Sequence, residues 1–447
     1  MSSAAKHMSI GMNILGFGAH SAAWREAEAP ATALTDLNYF VNIAKASERG
    51  TLDAIFLADG PALAGDVAQQ PSGRLEPTVL LTAIALATQH IGVIATASST
   101  FNDPYNLARR LASVDHLSGG RAAWNVVTTY NDAAAQNFGQ PSSAAHAERY
   151  ARAEEFVEVV QKLWDSWEDD AIIGDAQRGV FADPAKVHRI DHVGPHFSVR
   201  GPLNVPRSPQ GRPVIVQAGS SEGGKTLGSR YADAIFTTQT TLADGQAFYQ
   251  DMKQRARRWG RNPDHLKIMP GLSTVIGSTE AEAQARFDRL NDYLGESTLA
   301  QQIAFRIGIP LEELDLDAEL PWQRIGEVAS FKGSHGFLEA QLNLARRERL
   351  SVRELSRRIL VGHRLLVGTP EQVADTLEAW FRAGAADGFN IMPDMFPSGV
   401  EVFVDEVVPL LRKRGVFRHE YQGSTLREHL GLPYPTNLHN HSAAASA

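Results

Sequence analysis

The stretch Ile91-Gly92-Val93-Ile94-Ala95-Thr96-Ala97-Ser98 is followed by Pro104-Tyr105-Asn106-Leu107-Ala108-Arg109-Arg110-Leu111-Ala112-Ser113-Val114-Asp115-His116-Leu117, and then by Ala122-Ala123-Trp124-Asn125-Val126-Val127-Thr128. The first and third runs are short, apolar and enriched in β-branched residues. The middle run is longer and carries its apolar residues at helical spacing. Strand, helix, strand in that order implies two parallel strands joined by a right-handed crossover. The same alternation extends in both directions. It predicts strands over 9–16, 54–58, 91–98, 122–128, 213–218, 234–237, 267–276 and 388–392. Helices are predicted over 33–49, 76–88, 104–117, 147–167, 223–231, 243–259, 280–293 and 371–383, with a closing helix over 401–413. Eight β-then-α units predict an α/β fold, a (β/α)₈ barrel, with an open doubly wound sheet as the alternative.

Two segments interrupt the alternation. Residues 169–212 hold Gly, Pro and three His and read as a loop and hairpin before the fifth strand. Residues 294–366 contain amphipathic helical stretches and a Gly-rich piece at 331–337. Insertions of this size in a barrel usually cover the active face. The whole chain, 1–447, is thus expected to be one barrel domain with two insertions and a tail after 415 whose last residues are disordered.

Bulk properties narrow the function. The 447 residues are 43% hydrophobic, and 43 Lys+Arg against 51 Asp+Glu give a net charge of -8, which argues against nucleic acid as a partner. With no cysteine there are no disulfides, thiol nucleophiles or thiolate metal sites. No signal-peptide core follows Met1, and the most apolar run, 77–87, is too short to span a bilayer. A cytoplasmic protein without membrane contact is expected.

Barrel enzymes carry their chemistry where strands end. Those ends supply His20, Asp59, Ser99-Thr100, Thr128-Thr129, Ser220-Ser221 and Thr237-Thr238. Hydroxyls dominate and one carboxylate appears, a lining suited to a polar cofactor more than to acid/base hydrolysis. Each residue alone also reads as a helix cap or turn former. Asp59 precedes Gly60-Pro61, so it either closes a turn or accepts a hydrogen bond from a bound ligand. Gly219 to Thr226 matches G-x-x-x-x-G-K-[ST] literally, after a strand and at the start of a helix. It is read either as a P-loop with Lys225 on nucleotide phosphates, or as a cofactor-phosphate site with Lys225 on the helix surface. His188, His192 and His196 recur every four residues, but Gly194-Pro195 breaks any helix there, so surface or hairpin positions are expected and no metal site. His146 and Tyr150 are spaced to share a helix face. No strand is followed by a dinucleotide fingerprint, so no NAD(P)H domain is expected.

Longer motifs carry a resemblance. Asn102-Asp103-Pro104-Tyr105-Asn106-Leu107-Ala108-Arg109-Arg110, Asp115-His116-Leu117-Ser118-Gly119-Gly120-Arg121 and Trp124-Asn125-Val126-Val127-Thr128-Thr129 resemble the bacterial luciferase-like flavin monooxygenases. So do Gly18-Ala19-His20, Trp24-Arg25, Arg149-Tyr150, Leu163-Trp164-Asp165-Ser166-Trp167, Gly201-Pro202-Leu203-Asn204 and Gln217-Ala218-Gly219-Ser220-Ser221. More narrowly, the chain is similar to the branch of nitrilotriacetate, EDTA, dibenzothiophene-sulfone, dimethyl-sulfide and long-chain-alkane monooxygenases, over about residues 9–431. The resemblance implies the barrel, reduced FMN as cofactor, O₂ as oxidant, a flavin C4a-hydroperoxide, a separate NAD(P)H:flavin reductase, and a small organic substrate: a sulfur compound, an aminopolycarboxylate or a hydrocarbon. A homo-oligomer, dimer or tetramer, is expected with it. By motif position Asp59, Ser99, His146, Tyr150, Ser220 and Ser221 would bind FMN, Thr128 and Thr129 would line its face, and His20 would be the catalytic residue beside ring and substrate. The insertion at 294–366 is the expected lid. An F420-dependent oxidoreductase on the same barrel and a P-loop enzyme are the alternatives. Phe17, Phe56 and Phe236 are read either as an apolar substrate wall or as packing.

Overall fold

A computed structural model describes residues 7–26, 28–63, 67–68, 71–325, 335–358 and 362–440. Residues 331–334 of the Gly-rich piece and 441–447 of the tail lie outside these.

Strands β1 (Ser9–Asn13), β2 (Ala54–Leu57), β3 (Gly92–Ser98) and β4 (Ala122–Val127) alternate with helices α1 (Leu37–Arg49), α2 (Pro77–Ala87) and α3 (Pro104–Leu117). After β4 come a short helix α4 (Asp132–Asn137) and the long helix α5 (His146–Trp164). Two small hairpins follow, β5 (Ile172–Asp175) with β6 (Val180–Ala182), and β7 (His192–Val193) with β8 (Ser198–Val199). The alternation then resumes with β9 (Val214–Gln217), α6 (Glu222–Tyr231), β10 (Ala234–Thr237), α7 (Leu242–Arg258), β11 (Lys267–Ile276) and α8 (Glu280–Leu294). The second insertion holds α9 (Glu296–Ile307), α10 (His335–Glu348) and α11 (Val352–Arg358). The series ends with β12 (Arg364–Gly368), α12 (Pro370–Arg382) and β13 (Gly388–Pro393).

Eight strands close in the order β10-β9-β4-β3-β2-β1-β13-β11, with β11 pairing back to β10, and every pair in the ring is parallel. The fold is a (β/α)₈ barrel, and closure removes the open doubly wound alternative. The side-chain period of two separates the faces of each strand. On β4, Trp124 points outward against Phe156 and Trp164, with ring centroids 5.7 and 6.4 Å away, while Ala123 packs inside the barrel. Helix α3 begins where Asp103 accepts the N–H groups of Tyr105 and Asn106 with Pro104 at the first position, a stabilised start. It ends at Gly119 and Gly120, both at positive φ; a Cβ on Gly120 would come 2.8 Å from Thr425.

Three sequence expectations change. The 294–366 segment does not reach β13 as pure insertion: its end belongs to a ninth strand, β12, paired with Leu272–Ile276 at the far end of the ten-residue β11. The closing helix is broken into Ser398–Val402, a π-helical turn Phe403–Val407 and Val408–Lys413, because Pro409 has no N–H and crowds the carbonyl four residues back. The segment after Gly415 folds under the barrel. Leu426, Leu430 and Leu432 are buried against Ala54, Ala123, Val214 and Ala234, and Arg418 and Arg427 pair with Asp53 and Asp233 at the strand starts. No described helix is long and apolar enough to cross a membrane.

Candidate active site at the barrel mouth

The strand ends place the expected residues on adjacent staves. Passing round the mouth from β9 through β4, β3 and β2 to β1, one meets Ser220-Ser221, Thr128-Thr129, Ser99, Asp59 and His20 in that order. Together they occupy five of the eight staves of the rim.

At the β9 end the site is an anion cradle. Ser221 caps α6 and accepts the Gly224 N–H at 3.3 Å. Tyr150 on α5 leans over the same turn, its hydroxyl 3.5 Å from Ser221 Oγ. A Cβ on Gly223 would come 2.9 Å from the Tyr150 ring, so the tyrosine lies flat on the backbone of the helix start. His146, one turn earlier on α5, is exposed, with its ring centroid 4.6 Å from that of Tyr150. Free N–H groups at a helix N-terminus, a serine and a phenol together suit a phosphate. Lys225 is turned away: its Nζ donates to Asp251 Oδ2 at 3.0 Å, beside the Phe248 ring. The P-loop reading needs that lysine on the phosphates, and here it is paired with Asp251 on the helix surface.

Next to the cradle, Thr129 donates to Ser98 Oγ at 2.8 Å, and Ser99, which is buried, donates to the Val127 carbonyl at 3.1 Å. Thr128 is half-buried beside them. Asp59 on the next strand is half-buried; burial pushes its carboxyl up, opposed by the Gly60 N–H and by Arg74. Below this rim, inward amides interrupt the apolar strands. Asn125 donates to Thr96 Oγ1 at 2.9 Å, and the side-chain oxygens of Asn13, Asn125 and Asn390 are buried without a partner among the described residues, as is Thr100 Oγ1. Buried acceptors left unmatched are costly, so this ring fits a ligand that brings donors to the mouth.

His20 is buried at the β1 end. The Ala22 N–H donates to its Nδ1 at 3.1 Å, which puts the proton on Nε2, 3.4 Å from Asn291 Oδ1 on α8. Burial lowers its pKa to about 4, against the hydrogen bond to Asn291, so the ring is neutral at pH 7. It lines a cleft of about 190 Å³ with Phe17, Trp24, Leu57, Ala58 and Arg74. Beside it Asp394 accepts two hydrogen bonds from Arg286, at 2.5 and 3.1 Å. Burial pushes that carboxyl up to about 6, with Arg286 pulling it back.

Sequence reasoning missed His363. It enters the mouth just before β12, stacks on Phe236 with centroids 4.9 Å apart, and lies 3.3 Å from Thr238 Oγ1. Burial lowers its pKa to about 3. Gly271 must be glycine to admit it, since a Cβ there would stand 2.3 Å from His363 Nδ1. The inward amides did carry a signal, as polar residues at the barrel-facing positions of apolar strands. His363, at the end of a long insertion, carried none. Phe56 and Phe236 form an edge-to-face pair inside the barrel, centroids 5.6 Å apart, and Phe17 is buried in the outer core. The hairpin histidines lie apart, His188 on Glu168 at 2.7 Å and His192 on Glu155 at 3.0 Å.

The second insertion stands over this face. Glu339 and Asn343 of α10 share a cleft of about 420 Å³ with Ser220, Lys225 and Thr238, and Arg306 of α9 lies in electrostatic reach of Tyr130, just past β4.

Barrel, cradle and amide-lined mouth suit an enzyme that takes an anionic ligand at its strand ends, and the comparisons with known proteins place the chain in one family. The luciferase-like monooxygenase family model matches residues 16–387. N-acetyl-S-(2-succino)cysteine monooxygenase of Bacillus subtilis is 47% identical over 98% of this chain and 99% of its own. Nitrilotriacetate monooxygenase component A of Aminobacter aminovorans is 46% identical over 97% and 98%. Among solved structures, riboflavin lyase with modified FMN and riboflavin superposes with a TM-score of 0.84 at 33% identity, covering 98% of this chain and 99% of that one. The chain belongs to the luciferase-like monooxygenase family, and it is a monooxygenase.

Proposed function

We propose that the chain is the oxygenating component of a two-component, cytoplasmic FMN-dependent monooxygenase, taking reduced FMN from a separate NAD(P)H:flavin reductase. The observation that carries this is the cradle: Ser221, Tyr150 and the α6 N-terminus around an anion-sized turn, with Lys225 spent on Asp251. The riboflavin lyase neighbour, solved with a modified FMN, supports FMN as the occupant. "Component A" in the name of one relative supports a second component.

In this reading Ser220, Ser221, Tyr150 and His146 hold the phosphate end, and Thr128, Thr129, Ser99 and Asp59 follow the cofactor across the mouth. Reduced FMN, when bound, supplies the electrons that activate O₂, and one oxygen atom goes to the substrate while the other leaves as water. The chain's own groups then bind, orient and exclude water. The orphaned amide oxygens of Asn13 and Asn125 accept from donors at the mouth. Neutral His20 keeps its Nε2–H as a donor at the edge of the substrate cleft, directed by Ala22 and Asn291. The α9–α11 insertion is the lid. The cleft beside His20 takes a small organic molecule, and Arg74 there offers a cation for a carboxylate. The names of both close relatives specify acid-bearing substrates, which supports aminopolycarboxylates or carboxylated sulfur compounds first in any screen.

The test is an anaerobic titration with reduced FMN, then a supplied reductase, NADH and O₂. Product is scored against H₂O₂ across aminopolycarboxylates, sulfides, sulfones and alkanes. Reduced FMN binding with product above the reductase-only control is expected. Binding of F420 with substrate turnover and no oxygen uptake would replace this reading with hydride transfer.

A further inference from the structure

The axis of the barrel below the mouth is not completely filled. In a closed eight-strand barrel the inward side chains normally pack in layers of branched residues. Here Gly11, Ala54 and Ala234 stand at inward positions and border a small internal void of about 30 Å³, room for a diatomic molecule. Phe56 and Phe236 stand above it as an edge-to-face pair. Leu426 and Leu430, from the segment folded under the barrel, close it below.

The lining is apolar with two exceptions. Asp53 turns its carboxylate to Arg418 and the Ile10 N–H, away from the void. Asn390 offers one unpartnered oxygen. A buried water needs two to four polar partners, and apolar cavities stay dry while taking up xenon or benzene. The void therefore suits a small molecule with no hydrogen bonds to satisfy. The enzyme consumes one such molecule.

We infer that this void is a holding site for dioxygen, placed on the barrel axis beneath the mouth and separated from it by the Phe56–Phe236 pair. The inference rests on the flavin site proposed above, because that site is where the oxygen is used. An apolar store on the barrel axis keeps O₂ next to the strand ends without holding water, whose access favours loss of activated oxygen as peroxide. The small residues are then functional: larger ones at Ala54 and Ala234 would close the store.

Crystals pressurised with xenon provide the first test. A xenon atom is expected between the Phe56–Phe236 pair and Leu426–Leu430; a void without xenon overturns the proposal. The second test fills the cavity with Ala54→Val and Ala234→Val together. The KM for O₂ in reoxidation of bound reduced FMN should rise several-fold, with anaerobic FMN affinity unchanged and xenon lost. An unchanged KM for O₂ overturns the proposal. Should that variant fail to fold, reoxidation by the unaltered enzyme under xenon is compared with argon at equal pressure. Xenon is expected to raise the KM for O₂, and equality with argon overturns the role. Failure of the flavin reading looks different: xenon would occupy the void while anaerobic titration shows no reduced-FMN binding.

Discussion

Tyr150 and Ser221 meet across two helices, hydroxyl to hydroxyl, with nothing between them that either must hold except the Gly224 N–H. If they grip a phosphate, Ser221→Ala and Tyr150→Phe should each weaken FMN binding by about 10- to 100-fold, the effect of losing one hydrogen bond to a charged group. Lys225→Ala, at the residue the motif would make essential, should change that affinity by less than about twofold, since its ammonium serves Asp251 on the helix surface. Fluorescence titration of the three variants decides between cradle and P-loop: a collapse of binding in Lys225→Ala alone would reverse the assignment. His20→Ala should lower the ratio of product to H₂O₂ while sparing FMN affinity, because the ring borders the substrate cleft and not the cradle. Since burial holds its pKa near 4, that ratio should show no His20 titration between pH 5.5 and 8. At this scale the sequence was informative wherever a residue follows a strand directly. Ser221, Thr129 and Asp59 could be found by counting to strand ends. Whether a hydroxyl is free could not: Ser99 gives its proton to Val127, and only the three-dimensional pairing of β3 with β4 shows that.

Among the elements, strands were legible where an apolar run is short and bounded, as in 234–237, which matches β10. Strand β12 was not, because Arg364-Leu365-Leu366-Val367-Gly368 follows a long insertion and has an outward arginine in place of alternation. It owes its existence to the overhanging end of β11. The insertion itself has its own small core, in which Ile303, Ile307, Leu342, Leu350 and Leu355 are buried together apart from the barrel core. A separate core makes a separate cooperative unit. Leu355→Ala should therefore destabilise α9–α11 by about 2–4 kcal/mol and leave the barrel transition in place. Limited proteolysis should cut within 294–358 first, and the leaking site should yield more H₂O₂ per NADH. Loss of barrel and insertion in a single shifted transition would show that the two are not separate units.

Across the whole molecule, the C-terminal segment reads as a polar, Pro- and His-rich tail, yet it floors the barrel. The reason is that three leucines spread over seven residues have no periodicity of their own and gain burial only against strand starts distant in sequence. The same long-range burial sets the pH response. His20 and His429 have their pKa lowered to about 4 and His363 to about 3, all chiefly by burial. An unfolded chain takes up a proton on each near pH 6.5, whereas the folded chain refuses it until about pH 4, so these groups erode stability as pH falls through that window. Asp115 and Asp394, pushed up to about 6 by burial, act in the opposite sense: folded, they keep a proton that the unfolded chain releases near 3.8. Asp233 and Glu155, held low by Arg427 and by His192 with its neighbouring N–H groups, side with the histidines at the acid end. Among these groups, the three imidazoles and the two low-held carboxylates take up protons on unfolding, and they outnumber the two carboxyls raised by burial, so stability falls as pH falls. Urea unfolding at pH 7.0, 6.0 and 5.0 should show a falling midpoint at constant m. In His363→Phe, which keeps the stack on Phe236 without the titrating nitrogen, the slope should flatten; an unaltered slope would mean that His363 does not contribute to the acid response.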